Sequence, residues 1–161
     1  MFNLAAHVLT HADARADHPA LVVLGGETLS YRDLSARIRG TATGLLELGL
    51  TPGDRVLMRL ANTPDFPITY LAAISVGLVP IPTSSQLTLA EVTKIAHETR
   101  PALVVHSHGV TLPDTDTPRL PAAALPAMAA LPAAPIALGD PERPAYIIYT
   151  SGTSGQSRAV V

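Results

Sequence analysis

The sequence predicts an α/β fold, a helix-covered and mainly parallel sheet. Three observations carry that expectation. Apolar runs of strand length recur at residues 55–60, 78–81 and 102–106. The stretches between them place apolar residues at helical spacing, and two open on a capping-box pair, Ser30 with Asp33 and Thr88 with Glu91. Strand–helix–strand spacing of this kind calls for crossover connections, which join parallel strands.

Taken in order, residues 2–16 read as a helix, with Phe2, Ala5, Ala6 and Leu9 able to share one face. Residues 20–24 read as a strand, Gly25-Gly26 as a hairpin turn and residues 27–29 as the return. Ser30 then caps a helix to about Leu48, with Leu34, Ile38, Thr41, Leu45 and Leu48 as its buried stripe. Gly40 and Gly44 inside it each cost roughly 1 kcal/mol of helix propensity, and Gly49 is placed to end it in a left-handed cap. A turn, Thr51-Pro52-Gly53-Asp54, leads into the strand at 55–60. Asn62-Thr63-Pro64 opens a helix over about 65–76, with Pro64 and Pro67 tolerated in its first turn. Gly77 stops it. The short strand at 78–81 ends in a polar loop, 82–87. Thr88 opens a helix to about Glu98, Pro101 closes it, and residues 102–106 form the next strand.

The character changes at Gly109. Eight of the fifteen prolines fall between Pro113 and Pro144, which reads as an extended surface connector with short helical pieces such as residues 122–130. Three units follow: an N-terminal α/β subdomain over 1–108, a Pro/Ala-rich connector over 109–144, and a strand plus loop over 145–161.

Composition narrows the function. The 161 residues suffice for one domain with a sizeable core, and 47% hydrophobic content excludes a disordered chain. A formal net charge of −2 argues against nucleic acid as a partner. Without cysteine there is no disulfide framework, thiolate chemistry or cysteine zinc site, which is compatible with the cytoplasm. Met1-Phe2-Asn3-Leu4 lacks a basic n-region and its apolar run breaks at His7, so no signal peptide is read. The apolar run at 71–81 carries Pro80 and falls well short of the roughly 20 residues of a membrane helix. His7 and His11 are four apart on a helix, and His106 and His108 alternate at a strand end. Both pairs lack further ligands in sequence, since zinc sites take three or four; the alternative is solvated histidine, and no metal ligand is assigned.

The stretch with the most chemistry closes the sequence: Tyr149-Thr150-Ser151-Gly152-Thr153-Ser154-Gly155-Gln156-Ser157-Arg158. An apolar strand, 145–149, opens into small residues that can wrap a polyanion. Gly152 and Gly155 allow positive φ and close backbone approach, so that successive N–H groups can converge on phosphate oxygens. Thr150, Ser151, Thr153 and Ser154 add hydroxyls, and Arg158 adds a forked cation. The spacing is not that of a Walker A loop. A flexible Ser/Gly-rich tail is the competing reading.

This stretch resembles the phosphate-binding loop of the adenylate-forming enzymes, which include acyl- and aryl-CoA ligases, peptide-synthetase adenylation domains and firefly luciferase. Their pattern runs Thr-Ser-Gly-Thr-Thr-Gly-x-Pro-Lys-Gly-Val. Here Ser154 replaces Thr, Ser157 Pro, Arg158 Lys and Ala159 Gly. Three upstream elements are similar to the same superfamily in the same order: Leu29-Ser30-Tyr31-Arg32-Asp33-Leu34, the Gly49 to Val56 stretch with Gly53-Asp54-Arg55-Val56, and the helix-to-strand segment 71–82. The resemblance covers essentially the whole sequence and leans toward bacterial acyl- or aryl-CoA ligases.

The resemblance implies the N-terminal part of the large domain of such an enzyme, with residues 145–161 starting a second subdomain that is cut off. It implies ATP, Mg2+ and coenzyme A, and a small carboxylate substrate. Thr150, Ser151, Gly152, Thr153, Ser154 and Gly155 would cradle the β- and γ-phosphates, with Arg158 in place of the loop lysine. The superfamily's metal-binding acidic motif, ribose-binding aspartate, hinge and C-terminal lysine have no counterpart here, so no catalytic residue is assigned and the 161 residues alone are expected not to adenylate. The alternative is a non-catalytic nucleotide-binding or interaction module. For such a module, an exposed sheet edge and unfilled apolar face, where the missing half should pack, would favour dimerisation into a homo-oligomer, or aggregation.

Overall fold

A computed structural model describes residues 2–151 and 157–161, with the backbone alone at residues 150, 151, 157 and 158. Helix α1 (Leu4–Val8) is capped by Asn3, whose Oδ1 accepts from the amides of Ala5 and Ala6 at 3.0 and 3.2 Å. Its amide nitrogen reaches the carbonyls of Ile74 and Ala137, both at 2.9 Å, tying the N-terminus to the sheet's covering layer. The helix expected over 2–16 stops at Val8. Beyond it amides pair three residues back, Thr10 with His7 and Ala12 with Leu9, and of residues 9–17 only Ala12 is buried. Too little apolar surface remains there to hold a longer helix on the core.

Strands β1 (Pro19–Val22) and β2 (Thr28–Ser30) form an antiparallel hairpin, turning through Gly25 at φ +74°. Helix α2 (Tyr31–Glu47) starts in the expected capping box: Ser30 Oγ accepts from the Asp33 amide at 3.1 Å, and the Asp33 carboxylate accepts from the Ser30 amide at 3.3 Å. It ends before Gly49, at φ +87°. Strand β3 (Arg55–Arg59), helix α3 (Asp65–Ser75), strand β4 (Val79–Pro82), helix α4 (Leu89–Thr99) and strand β5 (Leu103–His106) follow within a residue or two of their expected bounds.

The segment read as a surface connector does more than connect. It contributes strand β6 (Arg119–Pro121), a 3-10 turn (Ala122–Ala124) and helix α5 (Leu125–Ala129). β6 joins a four-stranded, all-parallel sheet in the order β4-β3-β5-β6. Prolines fit there because an edge strand leaves one side of its backbone unpaired, while the Pro118 carbonyl accepts from the Val104 amide at 2.9 Å. Strand β7 (Ile148–Ser151) and strand β8 (Ser157–Val160) close the chain as an antiparallel hairpin. The strand expected to end at Tyr149 therefore runs on to Ser151, and part of the expected loop is a return strand.

The sheet is buried on both faces, as parallel sheets are. Val56 and Met58 of β3, with Leu103 and Val105 of β5, pack toward α2, α3 and α5. Leu57, Val104, Val79 and Ile81 pack on the other side against Val92, Ile95 and Ala96 of α4. Helix α5 lies close on α2 because Gly40 and Gly44 leave room. A Cβ on Gly40 would meet the Ala129 carbonyl group, and one on Gly44 would sit 2.8 Å from Met128 Cβ.

Candidate functional site

Strand β7 is the base on which the candidate loop is mounted. Just before it, the Ile147 amide donates to the Pro80 carbonyl of β4 at 3.0 Å, docking the segment beside the parallel sheet. Side chains alternate from there, as a strand requires. Ile147 and Tyr149 join the cluster under α4. The Tyr146 ring tilts against Tyr70 of α3 at 6.0 Å, and Tyr70 stacks on Phe66 at 6.4 Å. Burial pushes the Tyr70 phenol up to about 12.

Tyr149, the last residue before the motif's hydroxyl run, is anchored at its tip. Its hydroxyl donates to Glu98 Oε2 of α4 at 2.8 Å. Burial, and then the Glu98 carboxylate, hold the phenol well above its ordinary range, so it stays a donor at any ordinary pH. Glu98 also lies 3.8 Å from Lys94 one turn earlier.

Backbone pairing sets Thr150 opposite Arg158 and Ser151 opposite Ser157. The hairpin thus brings both ends of the motif together, 8 residues apart in sequence. Gly152, Thr153, Ser154 and Gly155 lie outside the described residues. His7 and His11 are exposed, and His106 Nδ1 lies 3.1 Å from the Ser107 carbonyl oxygen. Among the described residues no three of His, Asp or Glu converge in a way that could hold a metal ion. The described residues therefore supply no ligand set for the implied Mg2+.

A groove of about 430 Å³ opens beside β7, where β3 and β4 end. Leu60, Phe66, Pro82 and Ile148 make it apolar, and Asn62, Thr83, Ser84 and Ser85 add polar groups. Strand C-termini are where open α/β sheets hold ligands. The polar wall is braced from within by Arg59, a residue that strand reading passed over. Its side chain is 0% exposed. Nε donates to the Thr111 carbonyl at 3.0 Å, Nη1 to Thr83 Oγ1 at 3.4 Å and to the Ser84 carbonyl, and Nη2 to the Ser85 and Leu87 carbonyls, both at 3.3 Å. Burial lowers its pKa, yet a guanidinium remains charged. The only sequence signal was a cation inside an otherwise apolar strand.

Comparison with known proteins gives a consistent picture. A family model described as AMP-binding enzyme matches residues 8–161. Novobiocin biosynthesis protein H of Streptomyces niveus is 34% identical over 159 residues, covering 91% of this chain and 26% of that protein. Feruloyl-CoA synthase of an Amycolatopsis species is 30% identical over 150 residues, covering 89% of this chain and 30% of its own length. Synthetases are relatives at similar identity: the hybrid PKS-NRPS synthetase buaA of Petromyces alliaceus is 31% identical over 157 residues, covering 92% of this chain and 4% of that protein. The chain thus spans about a quarter of novobiocin biosynthesis protein H, under a third of feruloyl-CoA synthase and 4% of the hybrid synthetase. Among solved structures, the inhibitor-bound N-terminal domain of FACL13 from Mycobacterium tuberculosis superposes with a TM-score of 0.88 at 24% identity, over all of this chain and 44% of that one.

Proposed function

From the premise that this chain belongs to the AMP-binding enzyme family, we propose that it is the N-terminal part of an ATP-dependent acyl- or aryl-CoA ligase. In that reaction a carboxylate oxygen attacks the α-phosphorus of ATP and pyrophosphate leaves. The thiol sulfur of coenzyme A then attacks the acyl carbonyl and AMP leaves. A free carboxylate is a poor acylating agent, and the mixed anhydride makes its carbonyl reactive. Bound Mg2+ would supply charge neutralisation on the triphosphate. The part assigned to these residues is to grip phosphate. Thr150, Ser151, Gly152, Thr153, Ser154 and Gly155 surround it with backbone and hydroxyl donors, and Arg158 adds charge.

The observation that carries the reading is the hairpin register, which sets Thr150 against Arg158 at the root of the motif. The feruloyl-CoA synthase relative supports coenzyme A as the acceptor, and the synthetase relatives support a carrier-protein thiol as the alternative. Residues 145–161 begin a second subdomain in this proposal, and the 161 residues alone do not adenylate.

Carboxylate-dependent ATP–pyrophosphate exchange tests it. The full-length protein is expected to exchange label, and the 161-residue chain is not. Exchange by the short chain would overturn its assigned inactivity. No exchange by the full-length protein with any aliphatic or aromatic acid would overturn the ligase reading. Arg158→Ala is expected to weaken ATP binding by about ten- to a hundredfold, in line with losing one charge-assisted contact of roughly 1.5–3 kcal/mol; unchanged affinity removes Arg158 from the role.

A further inference from the structure

Arg59 is a buried cation with no anion to meet it among the described residues. All five of its N–H donors are spent on neutral acceptors, four carbonyls and the Thr83 hydroxyl. The three ion pairs among the described residues leave it out. Burying a charge this way is costly unless something offsets it. The acceptors are not scattered: Thr83, Ser84, Ser85 and Leu87 belong to one loop, and the first three also line the groove beside Ile148. Apart from Arg59, the loop is tied to β3 among the described residues at Thr83 alone, whose amide and hydroxyl both donate to the Met58 carbonyl at 3.2 and 2.9 Å; its other bonds are internal, the Leu87 amide to the Ser84 carbonyl at 3.3 Å and the Gln86 amide to Ser84 Oγ at 3.2 Å. A fork of five fixed donors suits a guanidinium and not an ammonium.

We propose that Arg59 is a positioning residue for this groove: it fixes the 83–87 loop from behind, and its uncompensated charge makes the groove receptive to a carboxylate. The guanidinium touches Thr83, Ser84 and Ser85, three residues that line the groove, in surroundings where Coulomb interactions are stronger than in water. An anion entering the groove meets that field without needing a contact to the guanidinium. This deepens the ligase reading and rests on it for the identity of the anion, the acid to be activated. A phosphate of the nucleotide is the other source of the same charge.

Amide hydrogen exchange of residues 83–87 in the full-length protein tests the inference without requiring turnover. The probes are acetate, benzoate and octanoate, each against its neutral amide, and ATP. In the wild type, one of the carboxylates is expected to slow exchange in the loop while its amide does not. Arg59→Met is expected to speed loop exchange at least tenfold and to abolish the difference between acid and amide. Arg59→Lys keeps the charge and loses the fork, so it is expected to speed loop exchange while retaining the preference for the acid. It also serves where Arg59→Met does not fold.

Protection by ATP and by none of the acids overturns the carboxylate assignment in favour of phosphate. Loop exchange that Arg59→Lys leaves unchanged overturns the positioning role. Equal protection by acid and amide in the wild type overturns the charge effect. A protein with Arg59-dependent loop protection but no pyrophosphate exchange would sink the ligase reading and leave this inference standing.

Discussion

The side chains that hold the candidate site do so across long stretches of sequence, and this decides what was legible. The Thr150–Arg158 motif is contiguous and so visible in the sequence as a stretch. The Tyr149–Glu98 hydrogen bond spans 51 residues, and nothing near Tyr149 marks its partner. Arg59 was visible only as a cation in a strand, because its acceptors arrive from loops 24 to 52 residues away. The Tyr149–Glu98 pair is testable as a unit. A hydrogen bond to a carboxylate at an exposed site contributes about 0.5–1.5 kcal/mol net. Tyr149→Phe and Glu98→Ala are each expected to destabilise the protein by about that much, and together by less than the sum, because both remove one interaction. Urea denaturation of the single and double variants measures the coupling. Strict additivity would show that Tyr149 is held by packing under α4 alone.

At the level of elements, reading succeeded where the local signal and the tertiary fold agree. Both capping boxes, the left-handed turn at Gly49 and the parallel strands β3, β4 and β5 stand as expected. It failed where three residues carry an element, as in β6, whose single buried side chain is Leu120. Proline-rich composition masked that strand, since nothing local distinguishes an edge strand from a connector. Gly40 and Gly44 were read as a propensity cost, and the structure supplies the compensation: α5 sits in the groove they leave. This separates two substitutions of equal helix propensity. Alanine gains about 0.8–1.0 kcal/mol over glycine inside a helix. At Gly40 the new methyl meets backbone, the Ala129 carbonyl group, so α5 must shift; overpacking of this kind costs about 1–3 kcal/mol. At Gly44 it meets the Met128 side chain, whose thioether end can move but whose Cβ, 2.8 Å away, moves only with the α5 backbone. Gly40→Ala is expected to lower Tm, and Gly44→Ala to lower it by a smaller amount. A Gly40→Ala protein as stable as the wild type would mean that α5 does not depend on the close approach.

The molecule carries carboxylates shifted in opposite directions, and its acid response follows. Asp33 is held below the usual carboxylate range chiefly by hydrogen bonds from the Ser30 side chain and backbone. Glu91 is held low by the same two contacts from Thr88, backbone first. A carboxylate depressed in the folded state stabilises fully above its ordinary value, and that contribution is lost as pH falls through the folded value. Asp65, at the start of α3, is shifted the other way: burial raises it, and its hydrogen bond with Thr63 only partly offsets this. Its ionised form therefore destabilises the fold, an effect absent below its ordinary value of 3.8 and complete above the raised one. Asp65→Asn removes this penalty at neutral pH. Solvent screening of a half-buried group keeps the gain under about 1 kcal/mol, which corresponds to at most roughly 2–4 °C in a domain of this size. Thermal melts between pH 7 and pH 3 should start higher for the variant and converge with the wild type at the acid end. The variant should also fall more steeply, since the wild type recovers the Asp65 penalty while both lose the Asp33 and Glu91 contributions. A gap that stays constant across that range would trace the gain to something other than the charge of Asp65.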